Sequence, residues 1–299
     1  MGAREEMEEV RPLVIERVSK MRIVLDHLNR IFRETKALEH TALTDRCLKD
    51  LGIKLSFLNL NEPSQDNSMI FYKPLPKEEL PQVDWDHADF HDWEERFGYS
   101  SECRRVDLTL FKVTMNVWGQ WFRNDKQQPW AHRKCYNEYP SIGTGEWGPY
   151  APYEWQTHRE IEGDEPFISH CSFSIIHYAD PEEPLRRSEV LPIVAYMKWR
   201  MRQIIYLEHY TFLVLAVSIF RSKARILQAH YDGQHLQIFK SDFYDFKENI
   251  KENYELFVRW TYSIPCGDTF TPLCIEGEKL EDPAIRRLDK FLKKVYKVK

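Results

Sequence analysis

Residues 211–240 read TFLVLAVSIFRSKARILQAHYDGQHLQIFK, and the reading of this stretch decides the fold class. Phe212–Phe220 is apolar at odd and even positions alike, the pattern of a strand covered on both faces. Ala224–Tyr231 and Gln234–Lys240 then alternate on either side of Asp232-Gly233, a dipeptide that favours the left-handed backbone of a tight hairpin turn. A two-residue turn there sets Tyr231 opposite Gln234. Leu227 then faces Ile238 and Ala229 faces Leu236 on a core side, while His230 faces His235 and Gln228 faces Gln237 on a polar side left free. The fold class expected is α+β. It has a mainly antiparallel sheet, a central strand at 212–220 and a hairpin at 224–240, flanked by N-terminal and C-terminal helices.

Outward from this stretch the pattern is less regular. Phe167–Tyr178 and 53–61 (IKLSFLNLN) alternate as strands, and Met69–Tyr72 fits a short one within the proline-rich connection 62–84. Residues 106–122 begin with strand-like alternation of Val106, Leu108 and Leu110, and their far end fits strand or helix equally. Val190–Met201 is apolar without a deciding period. Val14, Val18, Met21, Leu25, Leu28 and Phe32 lie on one stripe of a helix expected to begin near Pro12. A second short stripe, Leu43 to Leu51, closes at Gly52. Ile250, Tyr254, Phe257 and Val258 mark a helix ended by Pro265, and Leu288, Phe291, Leu292 and Val295 a last one with a basic end. The division expected is a helical segment over 1–52 and an α+β domain over 53–299, with a long aromatic-rich loop at 121–166.

Composition excludes some functions. With 47 acidic and 42 basic residues the net charge is −5, the wrong sign for a dedicated binder of nucleic-acid phosphates. Only 11 glycines argue against glycine-rich nucleotide loops. The opening MGAREEMEEV is acidic and lacks the apolar run of a signal peptide. The longest apolar run, Tyr210–Phe220, is about half of what a membrane helix needs. The six cysteines show no Cys-X-X-Cys pair, and reduced thiols in a cytoplasmic or nuclear protein are expected.

Four groups of residues are candidates for chemistry. Trp130, His132, Arg133, Trp147, Tyr150, Tyr153 and Trp155 lie in the aromatic loop, where flat rings beside cations suit stacking on a planar ligand. The same rings also suit covering an apolar sheet. His87 and His91, four apart in DWDHADFHDWEE, share a helix face as metal ligands do, although an acidic solvated stretch reads the same way. His230 and His235 would face each other across the hairpin as a metal or pH-sensing pair, with His177 and His209 able to come near, although two surface histidines read the same way. Cys266 stands in the turn IPCGDT near Asp268, with no base identified.

LPIVAYMKWRMRQ (191–203), SIFRSKARILQAHYDGQHLQIFKSDFYDF (218–246) and ELFVRWTYSIPCGDT (255–269) together resemble a group of uncharacterised fungal proteins of similar layout. The resemblance covers about a quarter of the chain, implies a cytosolic or nuclear setting and carries over no functional residue. The order of elements is also similar to a degenerate restriction-endonuclease-like scaffold, in which Asp180 and Lys198 would be remnants of the metal site. Tyr196 stands where that site needs a carboxylate, so the resemblance implies a scaffold without its Mg²⁺ chemistry.

The function expected is that of a binding or regulatory protein, holding a protein partner or a small planar ligand with the 121–166 loop. The alternatives are a small-molecule enzyme of a fungal metabolic pathway and the catalytically degenerate nuclease-like protein. No cofactor is evident, no membrane association is expected, and the 14–32 helix offers a dimer contact.

Overall fold

In the computed structural model, residues 2–61, 71–85, 99–124, 130–132, 154–163 and 168–297 are described. The hairpin region forms the middle of a sheet of seven strands in line. The central strand β6 (Leu213–Phe220) has β7 (Lys223–Tyr231) and β8 (Leu236–Lys240) on one side, with β1 (Ile53–Phe57) at that edge. On the other side lie β5 (His170–His177), β4 (Trp155–Gly163) and β3 (Trp130–His132). The sheet is mixed rather than mainly antiparallel, because β6 runs parallel to β5 and β1 runs parallel to β8. A parallel neighbour needs a crossover, and Val190–Met201 is part of it: helix α4 (Arg187–Met201) carries the chain from the end of β5 back to the start of β6. A two-residue strand β9 (Tyr244–Asp245) adds to β7, and β2 (Tyr72–Lys73) pairs with β10 (Ile264–Pro265) outside the main sheet.

β6 is buried at every position, and its side chains divide between two cores. Val214 and Ala216 point toward α4, α1 (Ala3–Ala37) and α2 (Asp45–Leu51). Leu213, Leu215, Val217 and Ile219 point toward α3 (Tyr99–Arg123) and α5 (Ile250–Thr261). Helix therefore covers both faces of the sheet. This corrects the expectation of a free polar face, since Gln228, His230 and Gln237 are all under 10 % exposed.

The hairpin register is shifted by two residues from the two-residue turn. Tyr231 pairs with Leu236, His230 with Gln237 and Ala229 with Ile238. The cause is Asp232, whose carboxylate accepts from the backbone N–H of Gln234 and His235 at 2.8 and 2.7 Å and from Gln237 Nε2 at 2.6 Å. That closes a four-residue loop with Gly233 at φ 102°. A shift of two keeps each side chain on its expected face, so the core side survives while the His230–His235 pairing does not.

Residues 106–122 are helical throughout. Cys103, Val106, Leu110, Val113, Val117 and Trp121 recur at helical spacing and are buried, whereas Leu108, which made the start look like a strand, is 46 % exposed. α1 starts at Ala3, with Glu5 accepting from the Gly2 N–H, and Pro12 lies inside it. The stripe read as a dimer contact is used within the chain: Met21, Val24, Leu28 and Ile31 join the core under α4, while Met7 and Val14 pack on Leu292 of α6 (Asp282–Val295).

Candidate functional site

The C-terminal half of α1 lies over the sheet, and its N-terminal half extends beyond to meet α6. Leu292 seats on Met7 and Val14, and Arg11 forks onto Asp289 with Nε–Oδ1 at 2.6 Å and Nη2–Oδ2 at 3.0 Å. Below this pair passes the connection 202–212 from α4 to β6, with a 3-10 turn at Ile204–Tyr206. Thr269 ties that connection to the chain before α6. Its carbonyl accepts from Tyr210 N and Thr211 N, and its hydroxyl lies 2.7 Å from His209 Nδ1. The elements do not close completely. Between them is a groove of about 520 Å³ lined by Val10, Leu13, Val14, Ile205, Leu207, Tyr210, Phe270, Pro272, Phe291, Leu292, Val295 and Tyr296. Leu13, Ile205, Phe270 and Val295 are each 45 % exposed or more, an apolar surface open to solvent.

One cation lies among the described residues that line this groove. Arg17 is 4 % exposed, donating from Nε to His209 O and from Nη2 to Tyr206 O, both at 2.8 Å. Its guanidinium lies 5.8 Å from the Phe212 ring centroid. Both acceptors are neutral carbonyls, and among the described residues no carboxylate pairs with Arg17. Burial pushes Arg17 down to about 10, with the Tyr210 hydroxyl opposing. Two acidic groups share the lining. Glu16 is held by Lys20 at 3.0 Å, and Glu208 is exposed at the rim.

Arg17 and the groove were not read from the sequence, yet a signal for Arg17 existed. Arg17 falls between Val14 and Met21 at helical spacing, a cation on an otherwise apolar stripe. The groove itself left no trace, because its walls come from four separate parts of the chain.

The residues that were singled out are dispersed. Trp130 is buried, stacked on Tyr72 and donating to Ser263 O at 2.7 Å, and Trp155 is buried beneath α4. His132 is on β3 opposite Ile161. Arg133, Trp147, Tyr150, Tyr153, His87 and His91 lie outside the described residues. Asp180 follows β5 and pairs with Arg221 at 3.2 Å, while Lys198 is in the last turn of α4, over the Phe32 ring at 4.7 Å. The rise from Arg187 to Lys198 is about 16 Å, so Asp180 and Lys198 are at opposite ends of the crossover.

His230 packs on Phe71 and Phe239, and burial pushes it down to about 4, with Asp232 opposing. His235 is in the turn instead of opposite it. His177 stacks on Phe220 at the far end of β5 from His209. Cys266 is half-buried with its thiol raised by burial, and Asp268 is engaged by the Phe270 and Thr271 N–H groups and the Thr271 hydroxyl. Among the described residues no group of three or more His, Cys, Asp or Glu is placed to hold a metal.

Two further polar clusters are occupied by the fold itself. Buried Asp107 of α3 accepts from Ser174 Oγ at 2.6 Å and from Arg159 Nε at 3.2 Å, with His158 Nδ1 also at 3.2 Å. Arg159 is at φ 52° in a β-bulge of β4, its guanidinium 3.9 Å from the Phe111 centroid. The cavity beside them is about 30 Å³, one water's share of liquid volume. On the opposite face of the sheet Glu189 pairs with Arg225 at 2.5 Å, both fully buried, and accepts from Ser218, which bonds His177.

Comparison of the chain with known protein families, curated proteins and solved structures finds no match.

Proposed function

We propose that this chain is a binding protein that holds a small apolar ligand in the groove between α1, α6 and the 202–212 connection. The observation that carries the reading is the groove itself, about 520 Å³ walled by side chains from separate elements and keeping Leu13, Ile205, Phe270 and Val295 exposed. That volume falls within the range of small-molecule sites, and mostly apolar walls with few polar groups are their usual composition. The class of function is the one the sequence pointed to, but the place is different. Trp130 and Trp155 of the aromatic loop are core residues, while the groove walls are open.

The test is titration with a neutral apolar dye such as Nile red, followed by fluorescence. Leu13→Glu and Ile205→Glu replace exposed walls at little cost to folding. Each is expected to weaken binding about tenfold, the worth of burying one aliphatic side chain. Unchanged dye affinity in both variants, or no saturable binding to the parent, would sink the reading.

A further inference from the structure

We infer that the groove recognises a hydrophobic monocarboxylate, with Arg17 receiving the anion at the floor and the apolar walls enclosing the body. This rests on the binding reading above and adds the chemical class of the ligand.

The Arg17 guanidinium has more donors than the fold uses. Nε and Nη2 hold the carbonyls of His209 and Tyr206. Among the described residues Nη1 has no protein acceptor, it is not among the buried polar atoms sealed without a partner, and Arg17 lines the groove. A structural clip for two carbonyls needs two N–H groups and no net charge. A guanidinium in that place instead leaves a cation in apolar surroundings, which is costly until an anion is supplied. Planar geometry with parallel donors is the shape that a carboxylate matches.

The other charges agree with this placement. Glu16 is neutralised by Lys20. Glu208 is at the solvent-facing rim, where water screens its repulsion, whereas the attraction of Arg17 acts through the low-dielectric floor. A single anion is indicated because one guanidinium is buried among the described lining residues, and apart from Glu16, Glu208 and His209 the rest of that lining is aliphatic or aromatic.

The experiment is calorimetric titration of the full chain at neutral pH with decanoate and with decanol, both below their aggregation limits. The expected result is decanoate binding about tenfold tighter or more, the usual advantage of a hydrogen bond to a charged group. Arg17→Met is expected to remove that preference while decanol affinity stays within about threefold, and Arg17→Lys to keep part of it. Arg17→Met also removes two bonds to the 202–212 connection, so the parent protein's own carboxylate-to-alcohol ratio is the primary readout. Decanol binding as tightly as decanoate overturns the carboxylate assignment and leaves the groove reading standing. So does Nile red binding without any decanoate binding. A carboxylate preference that persists in folded Arg17→Met places the anion elsewhere, on the basic end of α6 for example, and also overturns it. Failure of all three probes removes the groove reading itself.

Discussion

Arg225→Met is the substitution with the most informative expected outcome. Arg225 and Glu189 are both fully buried and bonded through Nη2–Oε2 at 2.5 Å and Nε–Oε1 at 2.8 Å. Arg225 also donates to the carbonyls of Glu182, Glu183 and Pro184, which fixes the segment between β5 and α4. Burial by itself raises the Glu189 carboxyl, but Arg225, aided by His177 and Ser218, outweighs it and brings the group from 4.5 down to about 2.

A lowered carboxyl contributes stability that is complete above pH 4.5 and is lost as the pH falls toward 2. A difference of about 2.5 units is worth roughly 3 kcal/mol. Methionine keeps much of the side-chain volume and removes the cation, leaving Glu189 buried beside Ser218 and His177. The expected cost at neutral pH is about 3–5 kcal/mol, a large share of a typical domain's stability.

The pH dependence is the sharper test. Without Arg225 the burial effect dominates, and folding takes up a proton on Glu189 or across Ser218 on His177. The acid limb then reverses. The variant is expected to be more stable at about pH 4 than at about pH 7, where the parent gains or holds. Urea unfolding at both pH values, followed by tryptophan fluorescence, measures this. Adding Glu189→Gln is expected to restore part of the loss and flatten the pH response. A loss below about 1 kcal/mol, or a variant whose stability still rises with pH, would refute the reasoning.

Two further stability tests address other parts of the frame. Gly267 is at φ 83° and a Cβ there would overlap the Phe71 ring, so Gly267→Ala is expected to cost about 2 kcal/mol of stability, read as a lower urea midpoint. Gly119, inside α3 with nothing nearer than Arg123 Nη1 at 3.9 Å, is its control, and Gly119→Ala is expected to stabilise by about 0.5–1 kcal/mol. His230→Phe keeps the packing on Phe71 and Phe239 and removes a group that burial holds near 4. A histidine lowered from 6.5 contributes stability present above pH 6.5 and lost as the pH falls toward 4, so the variant is expected to unfold at lower pH. An unchanged acid midpoint would show that His230 does not titrate with unfolding.

How far the fold was legible depended on whether a local rule had competition. Gly52 does end α2, at φ 73°, because a left-handed cap is a local need that glycine meets. Asp232-Gly233 does make a turn, but which turn was decided by the Asp232 carboxylate reaching Gln237, a contact that propensity does not encode. Val106, Leu108 and Leu110 fit a strand as well as a helix until the solvent exposure of Leu108 separates the two. The candidate site was less legible still. Clustered aromatics drew attention to the 121–166 loop, whereas Arg17 was one cation in a long amphipathic helix.

The sequence by itself determined the α+β class, the central strand at Phe212–Phe220, the side-chain faces of the hairpin and the ends of several helices. Each rests on periodicity or on a backbone preference acting over a few residues. Only the tertiary structure decided that β5 and β6 run parallel, that helices cover both sheet faces, and that α1 and α6 leave a groove with a cation at its floor. Those features depend on which distant surfaces exclude water together: Arg17 lines a groove only because His209, Phe270 and Leu292 line it too, and residues so far apart in sequence share no pattern that composition or spacing records.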